Sequence, residues 1–148
     1  PIDPEIRLPV TARLPDGYIP DVSQRLVLYK RLASCADEED LARIRDEILD
    51  RYGALVPDAE NLLEVIRLKI LSRKLGIASI GLAREEIVLD ITPASPIDPA
   101  RLVQILATSG TTIRVTPDHK IYAPAAPAGS EPAATFEAVR SLLHQLSA

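Results

Sequence analysis

The sequence predicts an α+β fold, with helices in the first half of the chain and strands mostly in the second. Up to about residue 75 the apolar residues recur at helical spacing, whereas after Gly76 they alternate and are often β-branched. The chain has 148 residues, 47% of them hydrophobic and 26% charged, which is ordinary for a folded domain. Helices and strands that are segregated along the sequence favour α+β over an alternating α/β fold.

The first twenty residues carry five prolines and predict an extended arm, in which residues 6–12 could form an edge strand. Within it, Leu14–Tyr18 has the residues of a turn. We therefore divide the chain into an arm of residues 1–20 and a single α+β domain of residues 21–148.

Three helices are expected after the arm. The first begins after a cap at Asp21 or Ser23 and runs to Ala33, and the second, over 38–52, begins after a cap at Asp37. The third, over 58–75, is apolar on most sides, so we expect it to be the central core element. The apolar positions at helical spacing are Val22, Leu26, Tyr29 and Ala33 in the first helix, and Leu41, Ile44, Ile48 and Tyr52 in the second.

The rest of the chain predicts two short strand pairs separated by a helix, and then a C-terminal helix. The expected strands are 77–82, 86–92, 111–116 and 119–123, and an Ala- and Pro-rich linker follows over 124–132. The helix over 98–109 should turn Leu102, Val103, Ile105 and Leu106 inward and end at Gly110, and the helix over 131–146 should bury Phe136, Val139, Leu143 and Leu146.

Residues with the chemistry of an enzyme or a metal site are few. Neither His119 nor His144 has metal ligands at a suitable spacing, and the sequence around Cys35 forms no nucleophile motif. The glycines are scattered singly, so no phosphate-binding loop is present, and no apolar run is long enough to span a membrane. We expect no catalytic, cofactor-binding or metal-binding residue. The alternative of a small enzyme would use Cys35 or the adjacent Asp118 and His119.

Two charged features could serve a partner. The second helix carries acidic residues away from its apolar stripe, which form either a solvated face or a docking surface for arginines of a partner; they are Glu39, Asp46, Glu47 and Asp50. The end of the third helix carries Arg67, Lys69, Arg73 and Lys74, which either complement the helix dipole or contact an anionic partner. A net charge of −4 argues against nucleic acid as that partner.

Several ordered blocks resemble the C-terminal domain of the bacterial transcription-repair coupling factor. They begin with Leu14–Val22, continue through the first helix (Arg25-Leu26, Tyr29-Lys30-Arg31 and Ala33-Ser34), and include Glu47–Gly53, Pro57, Leu62-Leu63 and Lys74–Ile77. The resemblance covers about residues 8 to 77. The lack of Met and the Pro at position 1 suggest in addition that the chain is a piece of a longer protein.

The resemblance implies a non-catalytic, cytoplasmic regulatory domain of an ATP-dependent DNA translocase that displaces stalled RNA polymerase and recruits nucleotide excision repair. ATP and Mg would be used by motor domains of the parent protein, and excinuclease A, RNA polymerase and DNA would be reached only through the parent. In the family this domain packs on an excinuclease-B-like module, masks the surface that binds excinuclease A and restrains the motor. The motif that carries its acidic contacts corresponds to Glu47 and Asp50, with Arg51 as a further member of less clear role. A nucleic-acid-binding accessory domain that uses the basic end of the third helix is the alternative.

Overall fold

The structure is a computed structural model that describes residues 2–109 and 112–147. Within these residues the fold is α+β, with five helices and one mixed five-stranded sheet, which confirms the predicted class. The helices are α1 (Val22–Ala33), α2 (Glu38–Tyr52), α3 (Pro57–Leu75), α4 (Pro99–Ser109) and α5 (Pro132–Ser147), and the strands are β1 (Glu5–Arg7), β2 (Ile77–Ala83), β3 (Glu86–Ile91), β4 (Arg114–Val115) and β5 (Lys120–Pro124). The expected helix terminator Gly110 and the first residue of the strand expected over 111–116 lie outside the described residues.

The chain packs as two compact units, residues 10–70 and residues 1–9 with 71–148. In the first unit, α1, α2 and part of α3 share one apolar core. It contains Leu28 and Leu32 of α1, the α2 stripe Leu41, Ile44 and Ile48, and Leu62, Leu63, Ile66 and Ile70 of α3. The α2 stripe is therefore predicted correctly. The expected boundary between an arm of residues 1–20 and a domain of residues 21–148 stays a prediction.

The segment before α1 is bound closely to the helices of the same unit. The backbone N–H of Leu14 donates to the Tyr29 hydroxyl at 2.7 Å, and Arg13 pairs with Asp58 at 3.0 Å. Its turn closes as expected, since the amide of Tyr18 donates to the carbonyl of Pro15. These contacts fix the start of α1 at Asp21, whose carboxylate caps the helix by accepting from the amides at positions 23 and 24.

In the second unit the strand order is β1-β2-β3-β5-β4. The two predicted hairpins thus form one sheet, and β1 adds an edge strand parallel to β2, shorter than the expected 6–12. All four apolar residues expected on α5, Phe136, Val139, Leu143 and Leu146, are buried. In α4 the expectation is wrong for Val103, which is 66% exposed. Val103 lies two residues before the buried Ile105, so it falls on nearly the opposite side of the helix.

The predicted apolar stripe of α1 is also wrong in part, although the helix itself is confirmed. Leu28 and Leu32, one turn apart, are the buried residues, whereas Val22 and Leu26 are each 57% exposed. Since 3.6 residues complete a turn, the row through Val22 and Leu26 lies on another side of the helix from the row through Leu28 and Leu32. The helical spacing identified the helix but selected the wrong side for the core.

Candidate docking site

The predicted docking residues lie in the second half of α2, a helix that is tied to its neighbours at both ends. Its first turn is capped by Asp37 and linked to α3 by the ion pair between Glu38 and Arg67 at 3.4 Å. At its other end, Arg51 and Tyr52 both donate hydrogen bonds to the side-chain oxygen of Gln24 in α1. A helix held in this way presents its outer side chains on a rigid support.

Glu47 is turned toward α1 rather than straight into solvent. Its carboxylate accepts a hydrogen bond from the guanidinium of Arg31, and the two side chains are 40% and 42% exposed. Helical periodicity placed Glu47 outward with the other acidic residues, but the contact with Arg31 depends on how α1 and α2 pack. Glu47 therefore already has one guanidinium partner inside the chain.

Asp50 lies one turn beyond Glu47 and is exposed, as are Glu39 and Asp46 on the same outer side of α2. The exposed Arg43, which pairs with Asp40, stands between Glu39 and Asp46 on this side. An exposed carboxylate can accept both N–H groups of one side of a guanidinium, so Asp50 suits an arginine side chain of a partner. Glu47 and Asp50 thus lie one turn apart on neighbouring sides of α2, and their docking role stays a prediction.

Arg51 points toward α1 and lies at the other border of this surface. Its Nη2 donates to the Gln24 oxygen at 3.2 Å, and its guanidinium carbon lies 5.4 Å from the centroid of the Tyr52 ring. The Tyr52 ring in turn lies 6.1 Å from the ring of Tyr18. Burial raises the pKa of Tyr18, whose hydroxyl donates to the carbonyl of Gly53. The Arg51 side chain is thus held by Gln24 and by the Tyr52 ring.

The basic residues at the end of α3 do not form a single face. Lys69 and Arg73 are one turn apart on one side, whereas Arg67 and Lys74 lie toward another side. Arg67 is held between Glu64 at 2.8 Å and Glu38. A nucleic-acid contact through these four residues would need a common face and unpaired charge, and this geometry offers little of either.

The enzyme alternative would use either Cys35, in the unit of residues 10–70, or the adjacent Asp118 and His119, in the other unit. Cys35 is 3% exposed, and its thiol donates to the carbonyl of Arg31. Asp118 and His119 lie in the exposed turn between β4 and β5, where a hydrogen bond from the Thr116 hydroxyl holds the pKa of Asp118 below its usual value. Among the described residues no three His, Cys, Asp or Glu side chains come together as a metal site, and no helix is long and apolar enough to cross a membrane.

The fold is found among solved proteins. The chain matches the crystal structure of the C-terminal domain of a transcription-repair coupling factor with a TM-score of 0.77, over 99% of this chain and 95% of that one, at 18% sequence identity. The TRCF domain matches residues 8–102, which include α2 with Glu47 and Asp50. The chain therefore belongs to the TRCF domain family.

Curated relatives carry the same domain at the sequence level. The transcription-repair-coupling factor of Myxococcus xanthus is 31% identical over 146 residues, which is 99% of this chain and 12% of the relative. That of Escherichia coli K12 is 37% identical over 102 residues, 69% of this chain and 9% of the relative. The chain thus spans about a tenth of the length of the relatives it matches.

Proposed function

We propose that this chain is the regulatory C-terminal domain of a transcription-repair coupling factor in the bacterial cytoplasm. In this proposal it docks on the excinuclease-B-like module of the same protein, masks the surface for excinuclease A and restrains the motor. RNA polymerase, DNA and excinuclease A act on it through the parent. The observation that carries the proposal is the acidic pair on α2, in which Asp50 is exposed and Glu47 is partly exposed beside Arg31, on a helix that is fixed at both ends.

The charges suit a contact that can be released. Partly exposed ion pairs contribute about 0.2–1 kcal/mol each, so a few arginine contacts hold two surfaces together only weakly unless apolar contacts support them. An inhibitory contact must be of this kind, because binding of polymerase or DNA elsewhere has to shift the equilibrium toward the open state. Glu47 and Asp50 would orient the excinuclease-B-like module on this domain, and the conformational change would separate the two surfaces.

The test is charge reversal in the full-length parent, with Glu47→Lys and Asp50→Lys combined. We expect higher ATPase activity without polymerase, and excinuclease A binding at least about tenfold stronger than in the wild type, because two attractive contacts become repulsive. ATPase rates and a pull-down with purified excinuclease A measure the two effects.

The matched control combines Glu39→Lys with Asp46→Lys, which changes the charge of the same helix by the same amount at two other exposed positions. This control should stay repressed. A Glu47 and Asp50 variant that is as repressed as the wild type would refute the proposed contact. Equal activation by both variants would instead show a general effect of helix charge.

A further inference from the structure

The outward face of α1 carries an unusual concentration of exposed apolar side chains. Of the five large hydrophobic side chains that are exposed in the described residues, three belong to α1: Val22 and Leu26, each 57% exposed, and Val27, 55% exposed. Single exposed apolar residues are common on protein surfaces, but neighbouring ones on one helix mark an interaction surface more often. We call Val22, Leu26 and Val27 the apolar ridge.

A groove continues the ridge toward the end of α2. It has a volume of about 170 Å³ and is lined in part by Val27, Leu28 and Tyr52. Arg51 stands at its border, where it lies near the Tyr52 ring. The groove is therefore apolar inside and positively charged at one edge, and it can receive an apolar side chain whose neighbour is a carboxylate.

The charges around the ridge define what could cover it. Apart from its capping residue Asp21, α1 carries no acidic residue, and Lys30 is exposed one turn after Leu26. Arg31 lines the groove and is engaged by Glu47, and Arg25 donates to backbone carbonyls before α1. Lys30 beside the ridge and Arg51 at the groove are the cations that we expect a partner to meet. Beside this basic and apolar surface lie the carboxylates of Glu47 and Asp50 on α2. Two neighbouring surfaces of opposite charge match a partner with the opposite arrangement of charges.

We propose that the apolar ridge and its groove form the second half of the docking surface, and that they receive an apolar side chain flanked by carboxylates on the partner module. This inference rests on the proposed docking through Glu47 and Asp50. It adds a second requirement for the partner surface. Next to the arginines that contact Glu47 and Asp50, that surface must present carboxylates to Lys30 and Arg51. The apolar contact supplies most of the affinity, and the charges fix the orientation.

The experiment compares two substitutions at one exposed position, Leu26→Lys and Leu26→Glu, in this 148-residue chain. Binding is measured by titration against the parent protein from which the same segment has been removed. Both variants lose the leucine contact, but only glutamate repels carboxylates of the partner. We expect about threefold weaker binding for Leu26→Lys and at least about thirtyfold weaker binding for Leu26→Glu.

Val103→Glu is the matched control, because it places the same charge on an apolar helix position that is even more exposed, and it should bind like the wild type. Circular dichroism and urea unfolding show that each variant is folded. Unchanged binding by both Leu26 variants would overturn the inference, and so would equal losses, which would mean that no carboxylate faces the ridge. If the isolated chain sediments as a dimer that Leu26→Glu dissociates, a second copy covers the ridge and the inference also fails.

The Glu47→Lys and Asp50→Lys variant in the same assay separates this inference from the proposed function. If that variant binds weakly while both Leu26 variants bind normally, docking through the acidic pair stands and the ridge plays no part. If the acidic variant binds normally while Leu26→Glu binds weakly, the ridge is a contact and the proposed role of the acidic pair is wrong. Losses in both sets, with glutamate the more severe change at position 26, support the combined surface.

Discussion

Replacing Gly76 by alanine should destabilise the unit that contains the sheet, because this glycine joins α3 to β2 in a restricted space. Its φ of 66° lies in the left-handed region, where a side chain costs about 1–2 kcal/mol. A Cβ built there would also lie 2.6 Å from the Cα of Ser95 and 3.1 Å from the Thr92 hydroxyl oxygen. Since the amide of Thr92 donates to the Gly76 carbonyl at 2.8 Å, the crowding segment is tied to the glycine itself.

Overpacking of this kind costs about 1–3 kcal/mol, so Gly76→Ala should lower the free energy of unfolding by about 2–5 kcal/mol in total. Gly129→Ala is the control, because that glycine has a φ of 81° and open space where its Cβ would be; it should lose only about 1–2 kcal/mol. Urea unfolding followed by circular dichroism measures both losses. If Gly76→Ala costs no more than Gly129→Ala, the reasoning from the close approach of Ser95 is refuted.

Two further predictions concern single contacts. Replacing Arg31 by glutamine removes the guanidinium that pairs with Glu47 within the chain. We therefore expect the chain to bind the truncated parent about two- to threefold more tightly in the titration described above. Weaker binding would show that Arg31 itself contacts the parent. Replacing Thr116 by valine removes the hydroxyl that lowers the pKa of Asp118, so an NMR titration should show that pKa rising toward its ordinary value. A carboxyl group whose pKa is lowered in the folded state stabilises the fold at pH values above the ordinary aspartate pKa, and this stabilisation is lost as the pH falls through the lowered pKa. The stability of the variant should therefore depend less on pH just below the ordinary aspartate pKa. An unchanged pKa of Asp118 in the variant would exclude Thr116 as the cause.

Local signals account for the parts of the fold that the sequence predicted well. Asp21 and Asp37 accept amide hydrogen bonds at the helix starts, and both helices begin directly after them. Gly76 separates α3 from β2 at the expected position. The joining of both hairpins and β1 into one sheet depends on contacts between distant segments, such as Glu5 with Ser79, which no local pattern contains.

The proposed docking surface shows the same division between local and distant information. The exposed position of Asp50 on α2 follows from helical periodicity alone, and the resemblance selected it together with Glu47. The pairing of Glu47 with Arg31 and the exposure of Leu26 could not be predicted, because both depend on which side of α1 meets the core. Periodicity identifies a stripe, but packing between helices decides whether that stripe is covered.

Strand β1 has a consequence for how shortened forms of this chain would behave. It pairs with β2 although all residues of the helical unit, 10–70, lie between the two strands in the sequence. One edge of the sheet is therefore formed by a segment that precedes that unit in the sequence. A chain trimmed to begin at residue 8, where the family match starts, would lose β1 and leave the backbone of β2 unpaired along that edge. Because β2 is rich in apolar residues, we expect such an edge to favour pairing between molecules, so that keeping β1 should reduce aggregation.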